Sequence, residues 1–160
     1  MPTPMPLPSY RLARREDIPA LIALFETMAS DMPVHGVPKD QIHKWASSGN
    51  SAVALLGPSR ELVGFVLGDL RRHGSPLVPG GEQQPHGISL FYAGVAPERR
   101  GQGIFSMMVS VLQRRGRPLF GSVHTGNKFQ VRHRLLRLGF QYVGRARAPF
   151  SFDAYRWIPG

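Results

Sequence analysis

The chain has no cysteine. Disulfides, thiolate zinc sites and a cysteine nucleophile are therefore excluded, and any group transfer must proceed without a cysteine-linked intermediate. Long apolar runs are missing too, and nothing approaches the roughly 20 residues that span a bilayer. The opening Met1-Pro2-Thr3-Pro4-Met5-Pro6-Leu7-Pro8 lacks the basic start and apolar core of a secretory signal. Cytoplasm is the expected location, with no membrane partner. The alternate prolines predict an extended, flexible leader over residues 1–9. The six histidines show no ligand spacing such as His-Glu-x-x-His, so no metal site is expected.

What remains is an ordinary globular composition over 160 residues, 42% hydrophobic and 19% charged. That length predicts one domain, from residue 10 to residue 160, burying about two-thirds of its unfolded surface. The formal charge is +10, nearly all of it arginine. Such a surface attracts polyanions: nucleic acid, acidic headgroups or a phosphorylated cofactor. A compositional bias toward arginine with no specific partner explains the same number.

The most informative stretch is Val95-Ala96-Pro97-Glu98-Arg99-Arg100-Gly101-Gln102-Gly103-Ile104. An apolar run from Ile88 to Val95 reads as a buried strand, bounded by Gly87 and Pro97. Ile104, Phe105, Met107, Met108, Val109, Val111 and Leu112 then follow, a wide stripe mostly at helical spacing, until Gly116 and Pro118. A helix start leaves N–H groups unpaired, and Gly101 and Gly103 let a ligand approach them. With Arg99 and Arg100 alongside, the loop suits phosphate or pyrophosphate. No Lys-Ser or Lys-Thr follows the second glycine, so it is not a triphosphate P-loop, and only two glycines match a dinucleotide fingerprint. An ordinary strand-to-helix turn with solvated arginines is the plain alternative.

The rest of the chain predicts a strand at Tyr10–Arg14 and a helix opening at Glu16-Asp17-Ile18-Pro19 with an acidic first turn. A loop from Met32 to Pro38 leads to a helix over Asp40–Ser47. Strands over Ser51–Leu56 and Leu62–Leu70 flank a Gly57-Pro58-Ser59-Arg60 turn. The segment His73–Gly87 is a long loop. A strand at Leu119–His124 precedes a helix ending at Leu138, with Asn127 as its N-cap and Gly139 as its C-cap. Closing strands lie at Phe140–Val143 and Phe150–Trp157. The order β-α-α-β-β-β-α-β-α-β-β predicts an α/β (α+β) domain with a mixed sheet packed by helices.

From Tyr10 to Trp157 this arrangement resembles the GNAT superfamily of acyl-CoA-dependent N-acetyltransferases. Three pieces carry the resemblance: Tyr10–Leu21 as first strand and helix, Val95–Ile104 as acyl-CoA loop, and Asn127 followed by Leu135-Leu136-Arg137-Leu138-Gly139-Phe140. It implies a mostly antiparallel central sheet, flanked by helices, whose central strands splay apart to admit pantetheine. It also implies acetyl-CoA as co-substrate, held by the amides of Gly101, Gln102, Gly103, Ile104 and Phe105 with Arg100. Backbone from Ala93 through Gly94 to Val95 would align the thioester, and the Val95 N–H would polarise its carbonyl. Asn127 would contact the cofactor or only cap its helix. The implied reaction is direct transfer of acetyl to a primary amine, and many relatives form homodimers.

Two departures stand out. Phe105 replaces the usual small residue; its ring either narrows the cofactor's approach or turns into the core. Leu135 occupies the place where the family often has a thiolate-protonating tyrosine. No glutamate precedes Val95 on its strand. The remaining acid–base candidates are Tyr92, Ser89, His86 and His124, with Tyr92 as replacement acid and His124 as a group titrating in the useful range. Packing explains each of them as well. Two alternatives to an enzyme follow: a non-catalytic acyl-CoA-binding module, and a basic nucleic-acid-binding protein, the less favoured partner.

Overall fold

The computed structural model describes residues 6–29, 36–71, 86–124 and 130–160. The elements run β1 (Pro8–Leu12), a 3-10 turn (Arg15–Asp17), α1 (Ile18–Met28), α2 (Lys39–Ser47), β2 (Ala52–Leu56) and β3 (Glu61–Arg71). Then come β4 (Gly87–Val95), a 3-10 turn (Pro97–Arg99), α3 (Ile104–Gln113), β5 (Leu119–His124), α4 (Val131–Arg137), β6 (Gln141–Arg145) and β7 (Phe152–Trp157). The order is the predicted one. A seven-stranded sheet in the order β1-β2-β3-β4-β5-β7-β6 holds them together, antiparallel throughout except between β4 and β5.

Boundaries moved where end effects compete with pattern. β1 starts at Pro8, inside the expected leader, and pairs Pro8 with Leu56. An edge strand tolerates a proline because one side of its ladder needs no donor. The turn Arg15–Asp17 precedes α1 because the Asp17 carboxylate accepts hydrogen bonds from the Arg14 N–H at 2.7 Å and from both Arg11 Nη atoms at 2.7 and 2.8 Å. α4 begins at Val131, after Gln130 in a left-handed conformation (φ 55°). Asn127, expected as its cap, lies outside the described residues, as do residues 30–35 and most of the His73–Gly87 loop.

Two cores sandwich the sheet. On one face α3 and α4 bury Ile104, Phe105, Met108, Val109, Leu112 and Leu135 against Val63, Val66, Ile88, Leu119 and Tyr155. On the other, α1 and α2 bury Leu21, Phe25, Met28, Ile42 and Trp45 against Val53, Phe65 and Leu67. The Gln113 side chain donates to the Leu138 carbonyl at 2.8 Å, tying the C-terminal ends of α3 and α4 together.

One irregularity shapes everything that follows. The β3–β4 register passes from Leu67↔Tyr92 directly to Gly68↔Leu90, leaving Phe91 as an extra residue in β4. Such a bulge bends its strand and increases the local twist. Ser51 secures the partner side: its hydroxyl accepts from the Gly68 N–H at 2.9 Å and lies 3.1 Å from the Trp45 carbonyl. β4 and β5 pair only at Ile88↔Leu119, Ser89↔Phe120 and Leu90↔Gly121. Pairing stops where the bulge begins. From Phe91 onward β4 follows β3, while β5 follows β7 as far as His124↔Phe152. The sheet is split between its fourth and fifth strands.

Candidate active site

Which groups face the split follows from strand alternation. The Ala96 N–H donates to the Val63 carbonyl at 2.8 Å, so Ala96 points its backbone toward β3. Val95 must then point its own N–H and C=O away from β3, into the split. Its carbonyl confirms the direction, accepting from Arg100 Nε at 3.2 Å. Gly94 plays a different part. A methyl group there would run into Met28 and the Phe65 ring, so this glycine lets α1 pack against the sheet.

The loop after β4 turns at Gly101 (φ 79°) and Gly103 (φ 77°), a left-handed conformation that costs glycine least. Both face open space, with nothing within 4 Å of where a Cβ would stand. The first backbone bond of α3 runs from the Met107 N–H to the Gly103 carbonyl at 3.1 Å. Among the described residues no backbone acceptor takes the amides from Gly101 to Ser106. No side chain caps the helix, and its first turn holds no acidic residue. The positive end of the helix dipole is thus available to an outside anion. Phe105 is 7% exposed within the α3 core, so its ring leaves the approach clear. Gly64 draws this helix close: a Cβ there would stand 3.0 Å from Met108 Cε and 3.2 Å from Ile104 Cγ2.

Tyr92 and His124 sit on opposite banks of the split. Tyr92 packs edge-on to Phe25 (5.3 Å between centroids) and tilted to Trp45 (5.8 Å), on the α1/α2 face. Burial pushes its hydroxyl pKa up, so the phenol keeps its proton at neutral pH. Leu119 and Val123 of β5 join the α3/α4 core, which turns Phe120, Ser122 and His124 to the face that Tyr92 occupies. His124 is exposed, and its carbonyl accepts from Arg132 Nη2 at 3.2 Å. Ser89 lies one pair before the split, opposite Phe120, and His86 is exposed just ahead of β4. Leu135 is 2% exposed, its Cδ1 3.6 Å from where a Cβ on Gly121 would stand; it belongs to the core.

Sequence reasoning missed two features. Asp153 on β7, opposite Val123, is 5% exposed and accepts from Arg132 at 3.1 Å, Arg145 at 3.2 Å and the Tyr142 hydroxyl at 3.4 Å. Arg132 therefore bridges this carboxylate to the end of β5. Trp45 and Phe91 form the other, stacking at 4.8 Å and 14°. A lone aspartate among arginines gave the first away only in part. Nothing in the run from Ile88 to Val95 marks Phe91 as the bulged residue. No cluster of metal-ligating side chains occurs among the described residues, and none of their helices is long and apolar enough to cross a membrane.

The whole architecture matches known structures. A GNAT-family acetyltransferase from Streptococcus agalactiae 2603 superposes with a TM-score of 0.72 at 16% identity, over 96% of each chain. Arabidopsis thaliana NAA60, solved with acetyl-CoA, also gives 0.72, at 17% identity over 93% of this chain and 96% of that one. The fold is that of the GNAT acetyltransferases. Diaminobutyrate acetyltransferase EctA from Paenibacillus lautus, solved with L-2,4-diaminobutyric acid and coenzyme A, gives 0.62 at 15% identity, over 96% of each chain. No family profile and no curated protein sequence matches the chain. The expected GNAT sheet, mixed and parted at its centre, is thus the observed one.

Proposed function

We propose that this protein transfers an acetyl group from acetyl-CoA directly to a primary amine. One observation carries the reading. A loop of unsatisfied amides, at a helix start free of carboxylates, lies beside a sheet that has parted to expose the Val95 N–H. The GNAT-fold neighbours solved with acetyl-CoA or coenzyme A support it.

Acetyl-CoA supplies the acetyl group already activated as a thioester. The amides of Gly101, Gln102, Gly103, Ile104 and Phe105, with Arg100, hold the pyrophosphate. Backbone at Ala93 and Val95 lies along the split and lines up the pantetheine arm. The Val95 N–H donates to the carbonyl oxygen, on which negative charge grows during attack. The amine nitrogen bonds to the carbonyl carbon, the carbon–sulfur bond breaks, and the proton lost by nitrogen ends on sulfur. Tyr92, kept protonated by burial, delivers a proton to the thiolate while His124, across the split, takes the amine's; exchange with solvent restores both side chains, so the net movement is one proton from nitrogen to sulfur. Much of the acceleration comes from holding amine and thioester together.

Calorimetric titration with acetyl-CoA tests the reading, alongside Arg100→Glu and Gly103→Trp. Micromolar binding by the wild type, lost in the variants, is expected. A folded wild type that does not bind acetyl-CoA overturns it. Leu135 favours a second reading, a non-catalytic acyl-CoA-binding module. Tight binding without transfer to any amine would select it.

A further inference from the structure

We infer that the acceptor is a primary amine borne on an aromatic or bulky apolar group, seated on Phe91 where the sheet parts. The inference rests on the acetyltransferase reading above.

Phe91 is 48% exposed, an unusual state for a phenylalanine within a central strand. The bulge puts it there as the first residue of β4 beyond the last pair with β5. Trp45, itself only 8% exposed, backs the ring face to face at 4.8 Å. Tyr92, the next residue, leans on the same tryptophan and on Phe25. The result is a rigid aromatic shelf leading to the atoms proposed to react, on the face that Tyr92 and His124 share. An apolar group resting there removes surface of its own and of Phe91 from water, and ring-on-ring contact adds to that gain.

The same face is poorly made for a polycation. Its carboxylate near the shelf, Asp69, faces Lys44 Nζ at 3.5 Å, and Lys44 is the residue before Trp45. On α1, Glu26 lies 3.9 Å from Lys39. A diamine or polyamine would find both carboxylates already paired with ammonium groups. An amine with one positive charge and an apolar body does not depend on a free carboxylate there.

The experiment measures wild-type protein with saturating acetyl-CoA against 2-phenylethylamine, a tripeptide amide beginning with phenylalanine, and spermidine. Each acceptor is also titrated calorimetrically in the presence of CoA. Tighter binding and a higher kcat/KM are expected for one of the phenyl amines than for spermidine; which of the two leads separates small-molecule from peptide acceptors. Phe91→Ala should raise the preferred KM about tenfold, with kcat and acetyl-CoA affinity little changed, and Phe91→Leu should recover part of the loss. Spermidine bound or used as well as the phenyl amines overturns the inference. So does failure of both phenyl amines to bind, or a KM indifferent to Phe91→Ala. Loss of acetyl-CoA binding by the wild type instead breaks the acetyltransferase reading itself, so the two failures are distinguishable.

Discussion

Up to Glu98 the chain carries eight Lys/Arg against nine Asp/Glu, whereas from Arg99 to the end it carries twelve against one. The neutral part builds α1, α2 and the first four strands, including the aromatic shelf. The cationic part builds the glycine loop, α3, β5, α4 and the closing strands. The helices repeat the contrast, since α2 has Asp40 in its first turn and α3 has no acid there. The net charge of +10 is therefore carried by the second part of the chain, whose helix α3 packs on β1, β2 and β3 while β5, β7 and β6 lie beyond the split. A thioester donor with a polyphosphate tail suits the cationic part of the chain, and an apolar amine suits the neutral part. Read this way, the sequence needs no separate polyanion partner to account for its charge.

Two glycines test the contrast most severely, because Gly94 serves packing and Gly101 serves conformation. Gly94→Val should destabilise the protein by about 3 kcal/mol, since the new side chain collides with Met28 and Phe65 in a filled core. Urea unfolding would show it as a fall in midpoint. Gly101→Ala meets no neighbour and suffers only the left-handed backbone, a cost of about 1 kcal/mol. Equal losses at the two positions would erase the distinction.

Between these in size lies the sole carboxylate of the cationic part. Burial alone would push the Asp153 pKa up, but hydrogen bonds from Arg145 and Arg132 more than offset this and hold the carboxyl below the usual range. Asp17 in the neutral part is held low in the same way, by Arg11 and the Arg14 N–H against burial. For both, the unfolded chain binds a proton more readily than the folded one. The stabilisation is whole above about pH 4 and is lost as pH falls through the lowered folded-state values. Asp153→Asn should cost about 2 kcal/mol at neutral pH, the scale for buried hydrogen bonds to a charged group. It should also flatten part of the acid-induced loss of thermal stability. An unchanged acid profile would remove Asp153 from the account.

How much of this was legible beforehand depended on whether a feature was local. The glycine loop announces itself, because its glycines are needed for backbone reasons that any ligand-free chain would share. The element order was legible from apolar periodicity and turn residues, and the GNAT fold from the resemblance carried by the Val95–Ile104 and Leu135–Phe140 motifs. The bulge was not, because Phe91 has the same apolar character as its neighbours and only the pairing of β3 with β4 makes it the extra residue. Ser51 looked like an ordinary strand start, yet its hydroxyl secures Gly68 across that irregularity. Phe105 left two orientations open because a helix start can turn its ring either way. Packing against the sheet decided for the core.

Salt offers the smallest and most discriminating effect. Raising ionic strength from 0.1 to 1 M shortens the screening length from about 10 Å to about 3 Å. On the proposed reading, in which Arg100 and the uncapped start of α3 hold the pyrophosphate, acetyl-CoA should lose affinity several-fold over that range. An apolar amine on Phe91 should change its KM less than about twofold, because burial of apolar surface is not screened. Measuring both constants on one protein preparation makes each the control for the other. Equal sensitivity would mean that charge, not the shelf, positions the acceptor. Insensitivity of acetyl-CoA binding would mean that the arginines from Arg99 onward contribute little to it, and their concentration in one part of the chain would then require a partner of its own.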